Sequence, residues 1–239
     1  MDIKETVRIA TDLCYRVAAV ELQGRTLRIV PHKIVPTILA ADVRDLGCTA
    51  SFDLSGSHSV EDWNGQRDPV IALGYVDIEG ALPPRTANRI VGAVLHGLAH
   101  YIECPAGAKH RAFPREILTV ADLASPALSR RQGVTPPWSK HSGRFMRVAY
   151  HLQQRARKLG YDILPREVFA AEKFGFSQAQ DYAIALQAEA GSGLNCDFRT
   201  ICASPFPWSF SKVFQRDKRL WLSSVSNRKG FPNDFDITT

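Results

Sequence analysis

The sequence TANRIVGAVLHGLAHYI, residues 86–102, combines apolar side chains at helical spacing with two histidines four positions apart. Pro83 and Pro84 interrupt the segment before it, so Thr86 is predicted to cap a helix that ends near Cys104-Pro105. The apolar positions recur at steps of three and four residues, which line one side of a helix: Ile90, Val91, Val94, Leu95, Leu98 and Ile102.

His96 and His100 are the candidate metal ligands on this helix. Residues four apart on a helix project to the same side, one turn along, so their imidazoles can share one ion. Zinc is the metal most often held by such a pair. The alternative is that one or both are buried core histidines, because an H-x-x-x-H pair alone is a weak signal.

Helices and strands are predicted on both sides of this segment. Residues 3–22 have apolar side chains on one helical face, and residues 25–30 and 70–78 have the β-branched composition of strands. Residues 141–159 are predicted as a helix with Phe145 inward and its arginines outward. Residues 165–190 look helical with a break at Gly175, whereas residues 191–239 show few periodic runs.

The two histidine segments together resemble the SprT-like group of zincin metallopeptidases. His96-Gly97-Leu98-Ala99-His100 is similar to the H-E-x-x-H motif of that family except at its glutamate, and the segment from Pro137 to Phe145 (PWSKHSGRF) looks like its later histidine motif. The resemblance covers roughly residues 70–160. It implies that His141 is the third zinc ligand, while His110 remains a competing candidate.

The resemblance also implies the fold class and the domain organisation. We expect an α+β, zincin-like fold, in which a small sheet packs on helices that include the metal-binding helix. Residues 1–164 are predicted to form this metal-binding domain. Residues 165–239 are predicted to form a helical and irregular C-terminal extension.

Gly97 occupies the position of the general-base glutamate, and it cannot accept a proton from a zinc-bound water. Three hypotheses follow: an enzyme in which another carboxylate, such as Glu103 or Glu116, serves as the base; a zinc-stabilised protein without catalysis; or an interaction protein whose histidines are incidental. We predict a zinc metallopeptidase-like protein with impaired peptide hydrolysis and assign no catalytic residue. Glu103 is predicted to assist His100 or to lie at a solvated helix end rather than to bind zinc.

The formal net charge of +6 is concentrated in one segment. Residues 105–160 contain eleven basic residues and two acidic ones, Glu116 and Asp122, which suits an acidic partner such as nucleic acid. Aromatic residues between these charges could stack on bases: Trp138, Phe145 and Tyr150. The alternatives are a peptide or protein substrate, or simply a solvated basic face. Farther along, Phe206, Trp208 and Phe210 alternate and are predicted to close the core.

The first residues, the lack of a long apolar stretch and the cysteines together indicate a cytoplasmic protein. The first residues lack an apolar signal segment, and no stretch approaches the roughly 18 apolar residues of a membrane span, so no membrane partner is expected. The five cysteines include no C-x-x-C pair, which argues against both a disulfide framework and a cysteine zinc ribbon. The sequence does not reveal an oligomeric state.

Overall fold

The structure, a computed structural model of the chain, describes residues 2–33, 48–53, 70–75, 84–103, 142–169, 177, 179–189, 191 and 196–226. Among these residues, no helix is both long and apolar enough to cross a membrane. The helices are α1 (Ile3–Val17), α2 (Pro84–Glu103), α3 (Gly143–Lys158), α4 (Pro165–Phe169), α5 (Ala179–Ala185), α6 (Phe198–Ala203) and α7 (Trp208–Ser226), with a 3₁₀ turn at Gln187–Glu189. The strands are β1 (Arg28–Lys33), β2 (Cys48–Asp53) and β3 (Val70–Tyr75).

Helix α2 lies at the centre of the fold. It begins at Pro84, where proline's fixed φ suits the first helical turn, so Thr86 lies inside the helix and the predicted cap is wrong. Nearly every side chain from Ala87 to Glu103 is buried, because α1, α3, α4 and the strands β2 and β3 all contact this helix. A helix covered on all sides in this way belongs to the interior, although its sequence shows one apolar face most clearly.

The three strands pair in the order β1-β3-β2 beside α2. β3 is central, with β1 parallel to it in the register Arg28↔Val70 and β2 antiparallel in the register Asp53↔Val70. Ile71 and Leu73 of β3 are buried side chains that join the core. Successive strand side chains point to opposite faces, so these two residues lie on the same face of β3.

The α+β, zincin-like fold class predicted from the sequence is wrong, because the described residues are mostly helical. Helices α2 and α7 have 20 and 19 residues, whereas each strand has only six. One reason is the C-terminal stretch, which the sequence predicts to be helical and irregular. Its described part is helical and forms α6 and the long helix α7. The expectation of few periodic runs is wrong for α7, whose apolar residues Phe210, Val213, Phe214 and Trp221 recur at helical spacing.

Residues on both sides of position 164 contribute to one hydrophobic core. Phe145 and Leu152 of α3, Phe169 of α4 and Phe198 of α6 are all buried in it. The inward position of Phe145 therefore agrees with the sequence prediction. The division of the chain into residues 1–164 and 165–239 stays a prediction.

Candidate metal centre

His96 and His100 face the same side of α2, as their spacing predicts. Their ring centres are 4.9 Å apart with planes at 79°. Two imidazoles on one tetrahedral zinc ion, with Zn–N bonds of about 2.0–2.1 Å, have ring centres about 5 Å apart. The pair therefore has a separation that suits a shared ion. Phe145 of α3 packs against both rings, at 5.0 Å from His96 and 4.3 Å from His100.

A backbone carbonyl fixes the orientation of the His96 ring. The Nδ1 atom of His96 lies 2.7 Å from the carbonyl oxygen of Val168. Because a carbonyl can only accept, Nδ1 carries the hydrogen, and in the neutral ring the lone pair is then on Nε2. Val168 lies in the last turn of the five-residue helix α4, where carbonyl groups have no partner within the helix. The interaction thus satisfies a helix end and sets the tautomer of a candidate ligand.

Close packing of α4 on α2 brings this carbonyl to His96. A Cβ atom at Gly92 would lie 2.7 Å from Cβ of Glu167, so only glycine permits the observed approach. Glu167 in turn accepts a hydrogen bond from the backbone N–H of Leu164 at 2.7 Å, which caps the start of α4. A glycine and a capping glutamate therefore position the Val168 carbonyl.

A buried carboxylate faces the second histidine. Nδ1 of His100 lies 3.8 Å from Oε2 of Glu103, whose side chain is only 1% exposed, against 21% for His100. The Ser142 hydroxyl donates to Oε1 of Glu103 and accepts from the N–H of Phe145 at 3.1 Å, which makes Ser142 the cap of α3. Oε2 is buried and has no hydrogen-bond partner in the described part of the chain. Glu103 thus lies beside His100 at a distance longer than a hydrogen bond, and its role in orienting His100 stays a prediction.

The glycine between the two histidines is explained by packing against the central strand. A Cβ atom at Gly97 would lie 2.9 Å from Cγ2 of Ile71, closer than Cβ contacts normally come. Position 97 therefore faces β3, and a glutamate there would have to displace buried Ile71. At the position where the general base is missing, the helix therefore packs closely against the strand.

The described residues supply two imidazole ligands and one carboxylate that supports them. They contain no cluster of three or more histidine, cysteine, aspartate or glutamate side chains arranged to hold a metal ion. The predicted third ligand His141 and its competitor His110 both lie outside the described residues, as does Glu116. The structure places His96 and His100 together, and the complete ligand set stays a prediction.

Sequence reasoning missed two contributors to this arrangement, of which one carried a partial signal. The carbonyl of Val168 belongs to a residue 72 positions from His96, and no side-chain pattern marks it. Ser142 carried a usable signal, because serine directly before a helix is a common cap. Its second interaction, with Glu103, depends on how α2 and α3 pack.

A second histidine–carboxylate pair lies on the other side of α3. Nε2 of His151 is 3.1 Å from Oε2 of Glu189, and Arg147 donates to the same carboxylate at 3.1 Å and 2.5 Å. Arg147 also donates to the carbonyl oxygens of Ile201, Ser204 and Pro205 at 3.0, 2.7 and 2.5 Å. Burial raises the pKa of Glu189, but hydrogen bonds from His151 and Arg147 outweigh it, so the pKa is lowered overall.

This network corrects the prediction that the arginines of α3 face outward. Arg147 is 1% exposed, and Arg155 donates to the carbonyl oxygens of Val17 and Cys196. Phe145 and Tyr150 are also buried, so they cannot stack on nucleic acid as proposed from the sequence. Trp138 and Lys140 lie outside the described residues. The basic composition of residues 105–160 therefore overstates the charge that α3 presents to solvent.

Comparison with known proteins gives no relative for this arrangement. No family model, no curated protein sequence and no solved structure matches the chain.

Proposed function

We propose that the chain is a zinc-binding protein of SprT-like ancestry in which His96 and His100 provide two ligands and peptide hydrolysis by the zincin route is lost. The supporting observation is the oriented pair: the ring centres are 4.9 Å apart, and Nδ1 of each ring faces an oxygen. Metal-binding histidines usually direct their second nitrogen to a carbonyl or carboxylate, which leaves the other nitrogen for the ion.

The third ligand in this proposal is His141. It is covalently bonded to Ser142, whose hydroxyl donates to Glu103, and Glu103 faces His100. These contacts bring Ser142 close to the histidine pair, which supports the residue before it as the third ligand. Bound zinc would polarise a ligand or water at the site and tie α2 to the segment that precedes α3.

The contact between Gly97 and Ile71 supports loss of the usual hydrolytic route. A general base contributes about 10²–10⁴-fold to the rate of such reactions, and position 97 has no room for one. Of the carboxylates considered as substitutes, Glu103 is directed at the Nδ1 side of His100. It therefore supports the ligand from behind, which favours a zinc-stabilised binding protein over an active peptidase.

The proposal is tested by elemental analysis of protein purified without a histidine tag. We expect about one zinc per chain in the wild type and little in His96→Ala or His100→Ala. His151→Ala is the matched control, because His151 also lies beside a glutamate but belongs to the other network. His141→Ala tests the third ligand in the same preparation.

Two outcomes would contradict the proposal. Zinc retained in both His96→Ala and His100→Ala would show that the metal is bound elsewhere. No zinc in the wild type, even after dialysis against the metal, would show that the two histidines are core residues. Chelation should also lower the melting temperature of the wild type, because an ion that binds only the folded state stabilises it.

A further inference from the structure

Helix α7 presents a basic face to solvent that carries one large exposed aromatic residue. Trp208 is 77% exposed, although Phe210 two residues later is buried as the sequence predicts. The prediction that Trp208 also closes the core is wrong. The indole of Trp208 therefore remains in water rather than in the core.

The exposed charges of α7 lie in line with this tryptophan. Lys212, Arg216 and Arg219 follow Trp208 by four, eight and eleven positions and are exposed. At about 100° per residue these four positions fall within a stripe roughly 80° wide, and at about 1.5 Å per residue the stripe is about 16 Å long. We call it the α7 stripe, and it consists of Trp208, Lys212, Arg216 and Arg219.

The one carboxylate of α7 contacts a single cation of the stripe. The single acidic residue of the helix is Asp217, which is buried and directed at α5 and the segment before it. It accepts from the Tyr182 hydroxyl at 2.5 Å and from the Ser177 hydroxyl at 2.8 Å. The Arg216 guanidinium also lies 3.4 Å from the Asp217 carboxylate. The other two cations of the stripe, Lys212 and Arg219, take no part in this ion pair.

The aromatic ring and the cations form one connected surface. The Lys212 ammonium lies 4.9 Å from the centre of the Trp208 ring, a cation–π contact that links the two along the helix. A flat ring next to positive charges is the arrangement with which proteins bind single-stranded nucleic acid, because an unstacked base can stack on the ring while phosphates meet the cations. A duplex keeps its bases stacked and offers no free base to the ring.

We propose that the α7 stripe binds single-stranded nucleic acid, with one base stacked on Trp208 and backbone phosphates at Lys212 and Arg219. Its length of about 16 Å accommodates about three to five nucleotides. The apolar face of α7 is already used in the core, where Phe210 and Trp221 are buried. Trp208 and Leu220, 45% exposed, are the large exposed apolar side chains in the described part of α7, and they lie twelve positions apart, so they form no continuous apolar face for a lipid surface. The proposal is independent of the metal site.

The test measures binding of a fluorescein-labelled oligothymidine of about 20 nucleotides to the full chain by fluorescence anisotropy. Trp208→Ala should weaken binding about 5- to 100-fold, the loss of one stacked base, and Trp208→Phe should restore most of it. Lys212→Gln with Arg219→Gln should lower the slope of log affinity against log salt by about 1 to 1.5. The zinc content of these variants should equal that of the wild type.

The matched control removes two exposed charges from the end of α3 instead, as Arg157→Gln with Lys158→Gln. Both residues belong to the basic segment 105–160. If this double variant loses more affinity for the oligonucleotide than Lys212→Gln with Arg219→Gln does, the proposal is overturned in favour of that segment. Equal affinity of Trp208→Ala and wild type would overturn it as well. So would absence of oligonucleotide binding, or binding only to vesicles of phosphatidylcholine and phosphatidylserine in equal parts.

Discussion

The two histidine–glutamate pairs on either side of α3 contain the same chemical groups but have different surroundings. Nε2 of His151 lies 3.1 Å from Oε2 of Glu189. The Arg147 guanidinium donates to the same carboxylate and to three backbone carbonyl oxygens. His100 and Glu103 are 3.8 Å apart, and a serine hydroxyl rather than an arginine holds the carboxylate. The first pair stabilises the fold, whereas the second is arranged around a ring that faces His96. The donor that binds the carboxylate, arginine in one pair and serine in the other, therefore indicates the role of the pair better than the histidine and glutamate do.

The largest effect is expected from removing the arginine of the first pair. Arg147→Met removes the arginine donor of the Glu189 carboxylate, which keeps its contact with His151, and of three backbone carbonyls, so the free energy of unfolding should fall by about 3–5 kcal/mol. Chemical denaturation measures it, with exposed Arg157→Met as a control that should change stability by less than about 0.5 kcal/mol. A loss below about 1 kcal/mol would remove the stabilising role of this network.

A smaller effect, confined to metal affinity, is expected at the second pair. Glu103→Gln should weaken zinc binding about 10- to 100-fold, because the amide is a poorer acceptor for the Nδ1–H of a zinc-bound His100. Competition with a chromophoric chelator measures the affinity. Glu189→Gln is the matched change in the other pair and should leave zinc affinity unaltered. Equal loss in both variants would mean that the two pairs are not distinct.

The smallest effect is a pH dependence of stability from Glu189. Its lowered pKa means that the folded state favours the carboxylate, so its stabilisation is complete above the unfolded pKa of about 4.3. That stabilisation is lost as the pH falls through the lowered folded value. The difference in unfolding free energy between wild type and Glu189→Gln should therefore be constant near neutral pH and shrink in acid. A difference that grows in acid would contradict the direction of the shift.

The sequence predicted the elements around the candidate site better than the fold as a whole. Helix α2, the shared side of His96 and His100, and the inward position of Phe145 followed from helical spacing, which is a local property. The α+β class failed because the β-branched segments form only short strands and the C-terminal stretch is helical. Arg147 was misplaced because its five donors are satisfied by residues 42 to 58 positions away. No local pattern encodes such partners.

Gly97 shows the same limit at a single position. The resemblance explains it as a lost catalytic residue, whereas the structure shows that a side chain there would have to displace buried Ile71. A glycine within a helix costs about 1 kcal/mol relative to alanine, which already suggested that something beyond helix stability selects it. Which neighbour requires it depends on how the helix packs against β3, and that is a property of the tertiary structure.

The hydrogen bond from His96 to Val168 sets an order for the assembly of the site during synthesis. A growing chain that has emerged only as far as residue 160 already contains both histidines of α2, but it does not yet contain the carbonyl that fixes the His96 tautomer. Under the proposed function, capture of zinc in the geometry of the folded protein would therefore follow synthesis of α4, because the Val168 carbonyl belongs to that helix.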